Sequence, residues 1–168
     1  MAITFDGSIS INVSGNLGNI TDLTSDISPI RYNKVHNWTN GTAIDQANMM
    51  WSDTRTLAAS TTEDIDLAGV LTNAFGSTIT FTRIKAIMIS AAVANINNVV
   101  VGGDSNALVG WVGATNDLIN VRPGGTFLIT APDATAYAVT AGTGDILQIA
   151  NSSSGSSVVY DIVLIGNV

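Results

Sequence analysis

The sequence predicts an all-β protein, folded as an antiparallel β-sandwich or barrel. Three observations carry that prediction. Short runs rich in Ile, Val, Thr and aromatic side chains recur along the chain, and these residues suit a pleated, half-buried surface. Turn residues separate the runs: Asn40-Gly41, Gly102-Gly103-Asp104, Pro123-Gly124-Gly125, Pro132-Asp133 and Gly142-Thr143-Gly144. After Thr78 no interval is long enough for the helical crossovers, about a dozen residues or more, that a parallel sheet requires.

The elements follow in order. Ile9, Ile11 and Val13 alternate with Ser10 and Asn12, the period of a strand with one covered face. Residues 31–39 carry Tyr32, Val35 and Trp38 and close on Asn40-Gly41, a pair that accepts positive φ. Residues 78–90 are dense in Thr, Ile and Phe. Residues 98–101 form a short apolar run, stopped by the glycines after them. Residues 117–122 end at Pro123 and residues 126–130 at Pro132, where proline presets the second position of a turn. Residues 137–140, 145–150 and 158–165 complete the series. Leu128, Ile146, Ile162 and Leu164 lie inside these runs and are expected in the core. Two segments carry a helical spacing. Leu17, Ile20, Leu23, Ile27 and Ile30 recur every three or four residues, with Thr21 as an N-cap, and read equally as an ordered loop. Residues 67–75 have room for one helical turn. Helix is expected to stay below about a tenth of the chain.

Composition narrows the chemistry. The 168 residues include no Cys and one His, His36, which excludes disulfide frameworks, thiolate chemistry and multi-His metal sites. Six basic residues against thirteen acidic ones leave a net charge of −7, a poor basis for gripping a phosphate backbone. Only 11% of residues are charged, yet mean hydropathy is +0.35. A surface so sparsely charged is expected to be hidden partly in an assembly. The N-terminal residues lack the basic start and apolar stretch of a secretion signal, and the most apolar segment, 86–94, is too short to span a bilayer.

No constellation announces an enzyme. Asp64 and Asp66 share a face of a strand beside Glu63, but adjacent acids ordinarily make a solvated rim. Asp104-Ser105-Asn106 reads as a turn, because the calcium-loop Gly and Glu are missing. Neither a phosphate-binding glycine loop nor a nucleophile elbow occurs. Trp38, Trp51 and Trp111 could serve a sugar-stacking platform, or simply pack in core or interface. Arg83 and Lys85 share parity with Ile79, Phe81, Ile87 and Ile89. Three explanations stay open: a bulge re-aims them, the strand end reaches the surface, or they pair with a neighbouring subunit's acids.

One longer pattern resembles a known group. It opens with Asp66-Leu67-Ala68-Gly69, Phe75-Gly76 and Thr80 to Ile87. It continues through Val101-Gly102-Gly103, Val121 to Gly125 and Ala131-Pro132-Asp133-Ala134. It closes with Val139 to Asp145 and Tyr160 to Gly166. In order and spacing it resembles a segment of small virion structural proteins of tailed bacteriophages. The resemblance implies a jelly-roll-like β domain and a role as a head decoration, or cement, protein on the outer capsid surface. It implies the major capsid protein and further copies of itself as partners, as a homotrimer, with no nucleic acid and no membrane. No cofactor and no enzymatic activity are expected, and assembly would take place in the host cytoplasm. A carbohydrate-binding β-sandwich module, or a tail or fibre component, is the alternative.

Residues 1–30 differ from the rest of the chain. They contain no Lys or Arg and are rich in Gly, Asn and Ser. They are expected to form an arm or edge segment, with residues 31–168 as the sandwich domain. Ile3, Phe5, Ile9, Ile11 and Val13, together with Arg83 and Lys85, are the candidate contacts to another subunit or to the capsid. An ordinary first strand in the domain's own sheet is the competing expectation.

Overall fold

A computed structural model describes residues 3–20 and 22–168. Among them 54% are in strands and none is helical. The segments with helical spacing take other forms. Residues 67–75 make turns and a single bridge, Thr72 to Thr78. Leu17 to Ile30 spans the closing end of a hairpin between β1 (Gly7–Ile20) and β2 (Ser25–Asn40). The spacing of three and four arose because the apolar positions of two strands were read through the connection joining them. The proposed N-cap, Thr21, lies outside the described residues.

Two antiparallel sheets enclose one core. The first has the order β10 (Tyr137–Ala138), β6 (Arg83–Ala91), β12 (Val158–Asn167), β4 (Met49–Leu57), with β9 (Thr126–Thr130) sharing the β10 edge of β6. The second has the order β5 (Thr62–Asp66), β11 (Ile146–Asn151), β7 (Val99–Val101), β8 (Ile119–Val121). Tyr160, Ile162 and Leu164 of β12 and Ile87 and Ile89 of β6 point inward from the first sheet. Leu147, Ile149, Val99, Val101 and Ile65 meet them from the second. Ile162 and Leu164 are therefore core residues as expected. Leu128 and Ile146 are only half-buried, and the neighbour Leu147 takes the inward position on β11.

The β6–β12 ladder breaks step at one place. Ala86 pairs with Ile165 and Ile84 with Gly166, so Lys85 is the extra residue of a bulge. The bulge reverses parity, which is why Ile84 and Ile87 both face the core. It also aims Lys85 out of the sandwich, so of the three explanations for this basic pair the bulge holds. Gly166 sits where a Cβ would run into the Arg83 carbonyl and the Phe81 ring, so only glycine lets the strands close there.

A second cluster lies on the outer side of the first sheet. Trp38 and Ala47 pack against Ala86 and Ile165, flanked by Phe5, Ile9 and Val163. It fixes the base of the β1–β2 hairpin to the body. Backbone bonds reinforce it: Thr39 N–H donates to Asp45 O at 3.2 Å, and Gly41 N–H to Ala47 O at 3.1 Å. The two-residue β3 (Gln46–Ala47) pairs parallel with the end of β2.

Candidate assembly surface

The β1–β2 hairpin carries the most unusual surface of the molecule. Its register runs unbroken from Gly7 opposite Trp38 to Ile20 opposite Ser25. At about 3.4 Å per residue, fourteen pairs span roughly 48 Å. Beyond its base the ribbon has no sheet beside it. Pro29 is tolerated in β2 because both strands of such a ribbon are edges. Arg31 staples the two strands at mid-length, its guanidinium donating to Gly15 O at 3.0 Å and Asn16 Oδ1 at 3.2 Å.

Side chains opposite one another in an antiparallel pair share a face. One face of the ribbon therefore holds Ile9, Ile11, Val13 and Leu17 from β1, with Trp38, His36, Lys34, Tyr32 and Ile30 from β2. This apolar stripe begins buried on the body, at Trp38 and Ile9, and runs off it into solvent. Val13 is 54% exposed, Leu17 79%, Ile30 62% and Tyr32 52%. The opposite face is mostly Ser, Asn and Gly, broken by Val35, Arg31, Pro29, Ile27 and, at the tip, Ile20.

The total accessible surface measures the same effect. It is 9190 Å², whereas a compact protein of 17.3 kDa exposes roughly 7,800 Å². The excess of about 1,400 Å² reflects the projecting ribbon, and it exceeds the roughly 800 Å² that each partner contributes to a standard interface.

The expected contact residues divide accordingly. Phe5 and Ile9 anchor the ribbon, Ile11 is half-buried at the point where it leaves the body, and Val13 is free. Ile3 is 41% exposed and, with Phe5, Met50 and Phe75, lines an apolar cleft of about 200 Å³. Arg83 donates to Ala134 O at 3.0 Å. Lys85 is fully buried and has no surface to offer a neighbour. Its ammonium donates to the Ala43 carbonyl at 3.3 Å and closely to that of Asp133. Burial lowers its pKa, and the nearby Asp133 carboxylate partly offsets that. Lys85 thus ties the 41–45 loop, at the foot of the arm, to the loop after β9. Leu17, Ile30 and Tyr32 continue the exposed stripe and were not among the expected contact residues. Their signal was the alternation of Ile9, Ile11 and Val13 continuing through Gly15 to Leu17, mirrored in β2.

The boundary expected at residue 30 also moves. The arm needs both strands, so its second half runs on through β2 to Asn40.

The other candidates are structural. Asp64 and Asp66 face outward, Asp64 accepting from Gln148 Nε2 at 2.8 Å. Glu63 points inward and joins the sheets: it accepts from Tyr160 Oη at 2.5 Å and from Arg55 at 3.2 Å. Burial, then the bond to Glu63, raises the Tyr160 pKa far above its ordinary value of 10.0. The Asp104 carboxylate caps its own turn at Asn106 N–H, 2.7 Å. Trp38 is buried in the outer cluster, Trp51 is buried in the central core, and Trp111 packs against that core on Phe127, so the three present no shared exposed face. Among the described residues no three metal-ligating side chains converge, and no helix is long and apolar enough to cross a membrane. Comparison with protein-family models, curated proteins and solved structures produced no match.

Proposed function

We propose that this protein is a virion structural protein of a tailed bacteriophage, a decoration protein that seats on the outer capsid surface and stabilises the shell. The observation that carries the proposal is the arm, an apolar stripe anchored on a rigid sandwich and continued into solvent. A protein whose work is cohesion needs such a surface, and a monomer has no use for it. Two further features support the reading. The chain passes repeatedly between the two sheets, an arrangement we read as jelly-roll-like. Many weak, identical sites on one shell also give firm attachment without a large contact per copy.

The test is addition of the purified chain to tailed-phage capsids stripped of their accessory proteins. The expected result is co-sedimentation with the shells, density on their outer surface in electron micrographs, and shells that rupture at a higher temperature. A chain that stays in the supernatant, or that locates to tails, overturns the proposal.

A further inference from the structure

We infer that the arms of two copies pack face to face and antiparallel, through the exposed half of the apolar stripe. The inference deepens the reading of the arm as an assembly surface but does not depend on the identity of any particle.

The register is dictated by the molecule. The body already covers the stripe at Trp38 and Ile9, and Ile11 is half-buried. A partner can therefore lie only over the nine pairs from Asn19–Asp26 near the tip to Ile11–Lys34 near the body. The midpoint of that stretch is the pair Gly15–Ile30. A two-fold axis through the midpoint, lying across the strands, sets β1 on β1 and β2 on β2 in opposite directions, a self-complementary contact. Leu17 then faces Val13 of the other copy, Ile30 faces Ile30, and Gly15 faces Gly15. Nothing lies within 4 Å of where a Gly15 side chain would begin, so the glycines leave room beside the central Ile30 pair.

The charges obey the same symmetry. Lys34 and Asp26 end the exposed stretch on the same face of β2, eight residues apart and far from contact within one copy. The antiparallel arrangement brings Lys34 of each copy over Asp26 of the other, twice per dimer. A parallel pair, with its two-fold axis along the strands, would instead set β1 on β2, leaving the two Lys34 side chains level with each other, and likewise the two Asp26, and forming neither ion pair. Nine pairs, about 30 Å by 10 Å, offer roughly 300 Å² per copy in projection, more when the relief of the side chains is counted. That is about 600 Å² in total before relief is counted, the size of a weak and transient contact, so the pairing is to be sought at the upper end of the concentration range.

Sedimentation equilibrium of the full chain, between 1 and 200 µM, tests the inference. The parent chain should reach a dimer and stop there. Ile30→Asp should weaken association at least thirtyfold with an unchanged circular dichroism spectrum and melting temperature, because Ile30 is exposed in the single copy. Lys34→Asp and Asp26→Lys should each weaken it about tenfold, and the double variant should restore it. A trimer, charge variants that do not rescue each other, or dissociation by Phe75→Ser at the cleft in place of the arm variants overturns the inference. A chain that dimerises in this way but ignores capsids refutes the capsid reading alone. One that coats capsids while remaining monomeric in solution, with an indifferent Ile30→Asp, refutes the pairing alone.

Discussion

Leu164, fully buried between the sheets, is a direct measure of the core. Leu164→Ala should destabilise the fold by about 2–5 kcal/mol, from lost transfer energy plus the cavity left behind. Urea unfolding reads this out, and a change under about 0.5 kcal/mol would contradict its placement. Tyr160 makes a pH-dependent contribution. Its folded pKa is raised, so below pH 10 both folded and unfolded states hold the proton and the stabilisation is complete. Above pH 10 the unfolded chain releases the proton first, and stability falls by up to about 1.4 kcal/mol per pH unit. Tyr160→Phe should be flatter than the parent in that range, as followed by denaturant midpoints between pH 9 and 11. Equal slopes would show that the hydroxyl is not held as described. Parity explains what could be foreseen at this scale. Ile162 and Leu164 were legible because they lie inside an apolar run, Ile162 to Ile165, of which the even positions face the core and Ile165 the outer cluster. Lys85 was not, since one inserted residue leaves no trace in a local pattern and is visible only against its partner strand.

At the scale of the element, the arm separates into a foot and a free part. Trp38 in the foot is fully buried against Ala86 and Ile165, so Trp38→Ala should cost about 3–5 kcal/mol. The free part should be dispensable to folding. Replacing residues 12–33 with Asn-Gly closes the ribbon at the pair Ile11–Lys34 with a turn suited to hairpins. The shortened chain should melt within a few degrees of the monomeric parent and lose self-association. A large drop in melting temperature would assign the ribbon to the folding core. The strands of the sandwich were readable because turns bracket them. The hairpin was harder to read, since a two-stranded ribbon has no core to impose strict alternation, and its polar face tolerates Ile27 and Val35.

For the whole molecule, charge opposes what the apolar stripe favours. Each copy brings a net charge of −7 to any contact with another, set against only two exposed Lys34–Asp26 pairs, each worth about 1 kcal/mol or less. Raising salt from 0.1 to 1 M shortens the screening length from about 10 to 3 Å. Association should therefore tighten with salt, as judged by sedimentation, and a looser dimer at 1 M would mean that the ion pairs dominate. All-β character was legible at this scale from turns and composition. The surface excess over a compact body was not, because composition does not reveal where a ribbon leaves the domain.

The position of β12 between β4 and β6 sets an order in time. The hairpin closes through residues near in sequence, and such ribbons form in microseconds. The first sheet cannot close until residues 158–167 reach β4, about a hundred residues earlier in the chain, and long-range pairings of this kind are slow. The platform under Trp38 is also incomplete until then, because Ile165 belongs to β12. The ribbon can therefore form early but, as a lone hairpin, stays marginal until β12 completes the platform under Trp38, so the arm becomes rigid last although it pairs first.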